Sequence, residues 1–528
     1  MCGIFYYKGD LISEEELKKA SKKISYRGPD NSKSSQIDSR NFFDFHRLSI
    51  IGNQESGNQP MTIKDYPHLT IVCNGEIYNY KKLAREHNVN LSSGSDTEII
   101  LHLFEKFGIE KTVKCLDGVF MFVLYDKKKG ITFSARDPFG VRPGFFGTTR
   151  TKNVAIASEA KALIDFCDDI IPFPPGSIWS SSTNDFVTYY TNAKDQLKKT
   201  DEVNVLAQIK NLLFSSVEKR MMSEREIGAL VSGGLDSSLI AAIANSFSDK
   251  KLKTFSIGMK GSIDLEYAKT VADFIETDHA QVEIKESEFL GAIETVIYNI
   301  ESFDITTIRA SIGNYLVSRY IKENSDCKVI FNGDGSDEVC GGYLYMMNAP
   351  TPEIFQEETL RLLNQIYLFD VLRSDRSISS NGLEARTPFL DKTFVEFYLS
   401  IPPELKVFNN KDRIEKFLLR KSFHDLELIP QDVLWRKKCA FSDGVSSQKN
   451  SWHKVLQHYI DLKVSDAEFE KNQKSYKHCP PISKESYFYR KIFESTFSNH
   501  EKLIPFFWMP RWTDTNDPSA RELSDYQE

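Results

Sequence analysis

The chain has 528 residues, of which 41% are hydrophobic and 27% are charged, and its formal net charge is −7. This length exceeds one ordinary hydrophobic core and predicts two globular domains. The small acidic excess gives no electrostatic reason to expect a nucleic-acid or membrane partner. No apolar run in the sequence approaches the roughly 18 residues that span a bilayer. The eight cysteines include no C-x-x-C pair, so we expect a cytoplasmic protein without a disulfide framework or a structural zinc site.

Short apolar runs separated by turns dominate the first part of the chain and predict a β-rich domain over residues 1–190. The predicted strands are 2–7, 69–74, 119–125, 130–135 and 154–157. Helices are predicted over 14–24 and 96–107, and the second is expected to begin at the capping sequence Ser95-Asp96-Thr97-Glu98. Strands with helices grouped apart from them indicate a layered α+β domain.

A polar, lysine-rich stretch at residues 191–204 predicts a linker. After it, predicted strands 227–231, 252–258, 281–284 and 328–332 alternate with predicted helices 205–221, 237–247, 264–275 and 308–322. This alternation indicates an α/β domain with a parallel sheet covered on both faces. From residue 353 the pattern is mostly helical, so the second domain is predicted over 205–515, followed by a disordered tail at 516–528.

The cysteine at position 2 is the first candidate for catalysis. A lone cysteine is more often a small buried hydrophobe than a nucleophile. However, a small second residue permits removal of the initiator methionine, which would give Cys2 a free α-amine beside its thiol. That amine has an intrinsic pKa of about 7.7–8.0 and can act as the base for its own side chain. Cys2 is therefore a candidate nucleophile that needs no histidine.

Four short motifs follow Met-Cys-Gly-Ile-Phe within the first hundred residues: Arg27-Gly28-Pro29-Asp30, Arg47-Leu48-Ser49-Ile50, Asn74-Gly75-Glu76 and Ser95-Asp96-Thr97-Glu98. Each one alone is also explained as a turn or a helix cap, and Asn-Gly-Glu as a hairpin turn. In this order they resemble the glutaminase domain of class II glutamine amidotransferases, the N-terminal nucleophile class. The resemblance covers nearly the whole first domain and implies an Ntn-hydrolase-like layered sandwich.

The resemblance implies a glutamine-binding set made of Arg47, Ile50, Asn74, Glu76 and Asp96. Arg47 would pair with the α-carboxylate of glutamine, a planar bidentate task that suits guanidinium. Glu76 and Asp96 would hold the α-ammonium. The Asn74 side chain and the Gly75 backbone N–H would form the oxyanion hole for the tetrahedral intermediate. The implied products are glutamate and ammonia.

The segment Ser232-Gly233-Gly234-Leu235-Asp236-Ser237-Ser238 follows a predicted strand and opens a predicted helix. Glycines let the backbone approach a ligand, and a helix N-terminus offers N–H groups and a positive dipole to an anion. A capped glycine-rich turn is the plain alternative, but a phosphate site requires this strand–loop–helix context. No Gly-Lys-Ser/Thr follows, which excludes a Walker A loop. The segment resembles the pyrophosphate loop of N-type ATP pyrophosphatases, which adenylate a substrate.

This second resemblance implies an adenine nucleotide α hydrolase-like fold that uses ATP and Mg²⁺. The implied ATP-binding residues are Leu230, Ser232, Gly233, Gly234, Leu235, Asp236, Ser237, Ser238, Ile257 and Gly333. Mg²⁺ takes oxygen ligands and bridges phosphates, and its candidate ligands are Asp236 in the loop and Asp337 after the strand 328–332. The carboxyl ends of parallel strands are where such a sheet places a site.

Across both domains the chain resembles glutamine-hydrolysing asparagine synthetases of the bacterial B type over about its first 450 residues. Residues 304–311 match a stretch that in this family contributes to aspartate and pyrophosphate recognition. The implied aspartate-binding residues are Thr306, Thr307, Arg309 and Asp370. The implied reaction is ATP-dependent synthesis of asparagine from aspartate through β-aspartyl-AMP, with ammonia from glutamine, in a homodimer.

Two catalytic residues of the second domain also come from this resemblance. Lys438 matches the family lysine that reaches the phosphates, where its charge would stabilise adenylation. Asp334 stands where the family has a glutamate that is assigned to amide formation, and its carboxylate is one methylene shorter. Together with Asn332 in place of Ser and Cys439-Ala440 in place of Glu-Gln, this change is expected to affect the synthetase step more than adenylation.

Two other functions fit the same sequence. The first is an amidotransferase that adenylates a different carboxylate, or a β-lactam synthetase. The retained Cys2 and the four aspartate-binding residues count against this alternative. The second is a regulatory homologue that binds nucleotide or glutamine but turns over poorly, for which Asp334 is the only support.

Overall fold

The computed structural model describes residues 1–52, 55–192, 201–409, 411–438, 446, 452–514 and 517–518. The chain divides into two compact units. Unit 1 contains Met1–Thr191, Met222–Glu226 and Ile378–Glu384, and unit 2 contains Asn192–Met221, Ile227–Ser377 and Ala385–Glu528. The predicted domain 1–190 omits the two later segments of unit 1. The predicted tail 516–528 lies outside the described residues except for 517–518.

Unit 1 is built on two antiparallel sheets. Its strands are β1 (Gly3–Lys8), β2 (Asn31–Gln36), β3 (Asn41–Arg47), β4 (Leu69–Ile77), β5 (Gly118–Asp126), β6 (Ile131–Arg136), β7 (Phe145–Thr148), β8 (Val154–Ala157), β9 (Asp169–Pro172), β10 (Ser177–Ser180) and β11 (Asp185–Thr188). One sheet has the order β2-β3-β1-β8-β7-β9 and the other β11-β10-β6-β5-β4. Its helices are α1 (Glu14–Lys22), α2 (Tyr80–His87), α3 (Glu98–Phe107) and α4 (Ile109–Cys115).

The position of strand β5 between two cores explains why its sequence is continuously apolar. Met121 and Val123 belong to a core that also contains Ile4 of β1 in the other sheet. Phe122 alternates with them and belongs to a second core, which contains Ile100 of α3. Because side chains of a strand point alternately to its two faces, a strand between two cores needs apolar residues at every position. The predicted layered α+β fold is therefore confirmed.

Unit 2 is built on a five-stranded sheet with the order β14-β13-β12-β15-β16. Its strands are β12 (Ile227–Leu230), β13 (Lys253–Gly258), β14 (Asp278–Glu283), β15 (Val329–Phe331) and β16 (Glu384–Arg386). The pairs β12–β13, β12–β15 and β13–β14 are parallel. The predicted parallel sheet with helices is confirmed, whereas the edge strand β16 was not predicted because it is only three residues long.

Helices make up most of the remainder of unit 2. They are α5 (Glu202–Lys219), α6 (Leu235–Ser246), α7 (Ile263–Phe274), α8 (Glu286–Gly291), α9 (Ile293–Ile300), α10 (Ile305–Asn324), α11 (Ser336–Cys340), α12 (Pro352–Gln365), α13 (Asp370–Ser379), α14 (Lys392–Ser400), α15 (Phe417–Phe423), α16 (Gln431–Leu434), α17 (Trp452–Asp461), α18 (Asp466–Asn472) and α19 (Lys484–Thr496). None of the described helices is long and apolar enough to cross a membrane.

The end of the predicted linker is helical. Asp201 caps α5 by accepting a hydrogen bond from the N–H of Val203, so residues 202–204 belong to the helix and their placement in the linker is wrong. A side-chain cap at the N-terminus explains why polar residues begin this helix. Residues 193–200 of the predicted linker lie outside the described residues.

Candidate active sites

Cys2 lies directly before β1 and is held at three atoms. Its backbone N–H donates to Asn74 Oδ1 at 2.9 Å, and its Sγ lies 3.7 Å from the Leu48 carbonyl oxygen. Arg27 Nε donates to the Cys2 carbonyl at 3.0 Å. Burial raises the pKa of the Cys2 thiol, although the neighbouring N-terminal ammonium opposes the shift. The thiol is therefore protonated at neutral pH and needs a base before it can attack.

Asn74 and Gly75 lie within β4 and not in a hairpin turn after it, because the strand continues to Ile77. Asn74 is fully buried, and among the described residues its Nδ2 has no hydrogen-bond partner. A buried donor without a partner costs about 1–3 kcal/mol, so this amide suits an incoming oxygen. A Cβ at Gly75 would lie 2.3 Å from the Val119 carbonyl oxygen, and therefore only glycine fits against β5.

Arg47 ends β3 and is buried beside the loop that follows it. Its NH1 donates to Asn58 Oδ1 at 2.7 Å, and its NH2 donates to the carbonyls of Ile51 and Gly52. Burial lowers the pKa of this guanidinium, and the charges of nearby acidic groups, among them Asp96, oppose the shift. Buried Ile50 supports the same loop. These contacts orient the guanidinium, and its contact with glutamine stays a prediction.

Asp96 does not cap α3, so the predicted cap is wrong. Its Oδ2 accepts the backbone N–H of Ile77 at 2.6 Å, and α3 begins at Glu98 after Thr97, which makes no side-chain cap. The Asp96 carboxylate therefore lies at the end of β4, where buried Glu76 precedes Ile77. Burial raises the pKa of Asp96 to about 6, although the hydrogen bond from Ile77 opposes the shift.

We expect kcat/KM for glutamine to fall as the pH drops through about 6. Protonation of Asp96 would remove the negative charge predicted to hold the α-ammonium of glutamine, and kcat/KM reports the pKa values of the free enzyme. Glutaminase rates measured from pH 5 to pH 8 test this expectation. An Asp96→Asn variant should have a lower overall rate and lose the part of the acid limb near pH 6, keeping only the part that comes from protonation of the α-amine of Cys2. An unchanged limb near pH 6 in that variant would assign it to another group.

A cavity of about 290 Å³ in unit 2 contains the second group of predicted residues. It is lined by eight of the ten predicted ATP-binding residues: Leu230, Ser232, Gly234, Leu235, Asp236, Ser237, Ile257 and Gly333. Gly233 and Ser238 do not line it. Gly233 has φ +71°, and a Cβ there would lie 2.4 Å from Tyr267 Cβ. Ser238 donates its hydroxyl proton to the Gly234 carbonyl at 2.6 Å, so both residues shape the loop.

The loop itself is closed by its serines. The Ser232 N–H donates to Ser237 Oγ at 3.1 Å, and the two hydroxyl oxygens are 3.0 Å apart. Helix α6 begins at Leu235, two residues earlier than predicted, which brings its N-terminal N–H groups to the cavity. A Cβ at Gly333 would lie 2.7 Å from the Ser237 nitrogen. The chain after β15 therefore approaches the loop as closely as glycine allows.

Two carboxylates and two lysines meet in this cavity. Lys416 Nζ lies 2.6 Å from Asp236 Oδ2 and 2.6 Å from Asp337 Oδ1, so one ammonium bridges both carboxylates. Lys438 forms a second ion pair with Asp337. Burial acts to raise the pKa of Asp337, but the charges of Lys416 and Lys438 outweigh it and hold the pKa below its usual value. Both lysines thus bring positive charge to the end of the cavity where phosphates are predicted.

Asp334 and Asp370 share one arginine. Arg373 NH2 donates to Asp334 Oδ1 at 3.0 Å and also pairs with Asp370. The backbone N–H of Gly335 donates to Asp370 Oδ2 at 2.9 Å. Burial raises the pKa of Asp370 to about 6, and the charge of Arg373 opposes the shift. Among the described residues, Asp334 Oδ2 has no hydrogen-bond partner, and Asp334 lines the cavity.

The predicted aspartate residues divide into two groups. Thr306, Arg309 and Asp370 line the cavity, and Thr306 Oγ1 is a buried hydroxyl without a hydrogen-bond partner in the described part of the chain. Thr307 does not line it. Its hydroxyl donates to Asp304 Oδ2 at 2.7 Å, and its N–H donates to the same oxygen at 2.9 Å. Thr307 therefore belongs to the cap of α10.

The oxygen atoms of Asp236 and Asp337 are of the kind that Mg²⁺ prefers, and the two carboxylates are close enough for the ammonium of Lys416 to contact both. No group of three or more His, Cys, Asp and Glu side chains that could hold a metal ion occurs among the described residues. Asp236 and Asp337 would therefore supply two oxygen ligands to a Mg²⁺ ion that arrives with ATP.

Family comparisons match both parts of the chain. Residues 208–354 and 347–517 match the family model described as asparagine synthase, and residues 1–174 match the glutamine amidotransferase domain. The chain belongs to the asparagine synthase family. It is 41% identical over 561 residues to asparagine synthetase [glutamine-hydrolyzing] of Bos taurus, covering 100% of this chain and 99% of that protein.

Two further relatives of the asparagine synthase family carry the same description. The Gallus gallus protein is 42% identical over 561 residues and the Homo sapiens protein 41% over 564, each covering 100% of this chain and 99% of the relative. The predicted family is thereby confirmed. The bacterial B-type subclass stays a prediction.

Three residues of the second site were not found from the sequence of this asparagine synthase family member. Lys416 contacts Asp236 across 180 positions of the chain. Arg309 is paired with Glu485 and Asp517, which are 176 and 208 positions away. A lysine or carboxylate in a polar stretch carries no signal of such a distant partner. Cys439 and Ala440, two of the predicted departures, lie outside the described residues.

Proposed function

We propose that this chain synthesises asparagine from aspartate, ATP and glutamine through a β-aspartyl-AMP intermediate. The reaction joins a carboxylate activated at the second site to ammonia released at the first. We also propose that the protein acts on small molecules as a cytoplasmic homodimer. A net charge of −7 offers no attraction to nucleic acid or to an anionic membrane.

At the first site, the Cys2 thiolate attacks the side-chain amide of glutamine. Once Met1 is removed, the α-amine of Cys2 has an intrinsic pKa of about 7.7–8.0, so a substantial fraction of it is uncharged near neutral pH and able to accept the thiol proton. The unpartnered Nδ2 of Asn74 stabilises the oxyanion. Ammonia leaves, and water hydrolyses the thioester to glutamate.

At the second site, the loop 232–238 and Lys438 bind the phosphates of ATP. Asp236 and Asp337 would hold Mg²⁺, which neutralises phosphate charge and orients the leaving pyrophosphate. Thr306 and Arg309 bind the aspartate, and its side-chain carboxylate attacks the α-phosphorus. Asp334, which has an oxygen without a partner among the described residues, acts in the step in which ammonia attacks the acyl-adenylate.

The observation that carries this proposal is the shared cavity, which is lined by the loop serines, Arg309 and Asp334 together. An adenylating loop needs a nearby site for a carboxylate substrate, and a guanidinium is suited to one. Mass spectrometry of the products from glutamine, ATP and a panel of acids tests the proposal. Asparagine, AMP and pyrophosphate are expected with aspartate. An amide formed from another acid alone would favour the alternative amidotransferase.

Replacing Asp334 with glutamate is expected to leave the synthetase rate unchanged or to raise it. The longer side chain restores the carboxylate that the family has at this position, and the flexible Arg373 side chain can follow it, while Oδ2 has no partner to lose among the described residues. Initial rates of asparagine formation with saturating ammonia provide the measurement. A large loss would show that Arg373, which binds Asp334 at 3.0 Å, fixes a geometry that suits only the shorter side chain.

A further inference from the structure

Arg309, the fifth residue of α10, is held by two carboxylates. Glu485 accepts from Nε at 2.8 Å and from NH2 at 2.6 Å, and Asp517 accepts from NH1 and NH2, both at 2.9 Å. The Arg309 side chain is only 5% exposed, and it lines the cavity. Each pair has the two-bond geometry typical of arginine with a carboxylate. The N–H groups that Arg309 donates to Asp517 are thus ones that could also bind a substrate carboxylate.

The two carboxylates are anchored differently. Glu485 is the second residue of α19 and its side chain is 6% exposed, so a regular helix fixes it. Asp517 is 18% exposed and belongs to no helix or strand. Its neighbour Pro518 lines the cavity, as do Trp508 and Pro510 of the preceding chain. His453 Nδ1 lies 3.8 Å from Asp517 Oδ2, beyond hydrogen-bond distance.

Charge favours exchange at the more exposed position. One guanidinium lies between two carboxylates here, and His453 is a further charged neighbour of Asp517 when its ring is protonated. Replacing the Asp517 carboxylate by a substrate carboxylate leaves the charge beside Arg309 unchanged. An aspartyl side chain also presents to Arg309 the same chemical group as free aspartate. The exchange therefore adds no negative charge at Arg309 itself.

We propose that Asp517 occupies the subsite for the α-carboxylate of the substrate on Arg309, and that aspartate displaces it on binding. This inference rests on the proposed function, since it takes aspartate as the ligand of Arg309. Glu485 stays in place and acts as a positioning residue that keeps the guanidinium directed into the cavity. Asp517 then sets the affinity for aspartate by internal competition.

Asp517→Asn is expected to tighten the binding of aspartate. If the Asp517 carboxylate occupies Arg309 for nine-tenths of the time, removing its charge lowers the apparent Kd about tenfold. Titration calorimetry of the full-length chain with aspartate, without ATP, measures the Kd directly. In the complete reaction the KM for aspartate should fall while kcat stays within about twofold. An unchanged or raised Kd in the variant overturns the proposal.

Two further variants separate competition from a general structural effect. Glu485→Gln should raise the Kd for aspartate because Arg309 loses its fixed partner, which is the opposite direction from Asp517→Asn. Asp514→Asn removes the charge of an exposed carboxylate three positions away and should change neither constant. Equal weakening in the Glu485 and Asp517 variants would assign both carboxylates to structure and contradict the proposal.

Hydrogen–deuterium exchange on the unaltered protein gives a test that needs no variant. Saturating aspartate should speed exchange in the peptide that contains Asp517 and slow it around Thr306 and Arg309. Slower exchange in both peptides would show that Asp517 closes over the substrate, and would overturn displacement. If the wild-type chain neither binds aspartate nor converts it to asparagine, the proposed function fails, whatever the effect of Asp517→Asn.

Discussion

Replacing Cys2 with alanine is expected to abolish glutamine-dependent asparagine formation and to leave ammonia-dependent formation near the wild-type rate. Cys2 is the proposed nucleophile, and alanine in its place has no thiol. The backbone N–H of Cys2 donates to Oδ1 of Asn74, the candidate oxyanion-hole residue, at 2.9 Å. Loss of a nucleophile that forms a covalent intermediate costs at least about 10³-fold. Asparagine and glutamate are both quantified, first with glutamine and then with ammonium salts.

The ammonia reaction should survive because the second site has its own residues. The cavity with the loop 232–238 is lined by residues of unit 2, whereas Cys2, Arg47 and Asn74 belong to unit 1. Cys115→Ala is the matched control, since Cys115 is a free, half-buried cysteine of the same unit. Equal loss of both reactions in the Cys2 variant would contradict two separable sites.

Local sequence was sufficient to predict the residues whose roles depend on their own backbone. The loop 232–238 was found because its glycines and serines stand between a strand and a helix, and eight of the ten predicted residues do line a cavity. Asn74 and Gly75 were found in their motif, although the structure places them inside β4. Such features depend on chain geometry over a few residues, which a sequence displays directly.

Contacts with distant partners could not be predicted from the sequence. Asp96 in Ser-Asp-Thr-Glu has the pattern of a helix cap, but its carboxylate accepts from Ile77 N–H at 2.6 Å. Thr307 stands in the aspartate stretch, yet its hydroxyl is bound to Asp304 at 2.7 Å. Lys416 comes from a segment that carried no motif. Tertiary contacts decide which of several equally plausible polar partners a side chain meets, and a single sequence does not display them.

Replacing Asp337 with asparagine is expected to stop ATP cleavage with either nitrogen source. The carboxylate is paired at 2.6 Å with Lys416, which also binds Asp236. The charges of the two lysines keep the pKa of Asp337 low despite its burial, so it is ionised throughout the physiological range. An amide keeps the shape but removes the charge that both lysines face and that would help to hold Mg²⁺.

We expect the rates of AMP and pyrophosphate release in the Asp337→Asn variant to fall at least about 10²-fold, while glutamine hydrolysis without ATP is retained. Asp326→Asn, which alters an exposed aspartate of the same unit, is the control. Titration with Mn²⁺ in the presence of ATP, followed by electron paramagnetic resonance, reports metal binding without turnover. If the variant cleaves ATP at more than a tenth of the wild-type rate and its affinity for Mn²⁺ is unchanged, Asp337 is not a ligand of the metal ion.

The products of ATP cleavage test the assignment of the loop 232–238. Release of ADP and phosphate in place of AMP and pyrophosphate would overturn that assignment, because a pyrophosphatase loop directs attack at the α-phosphorus.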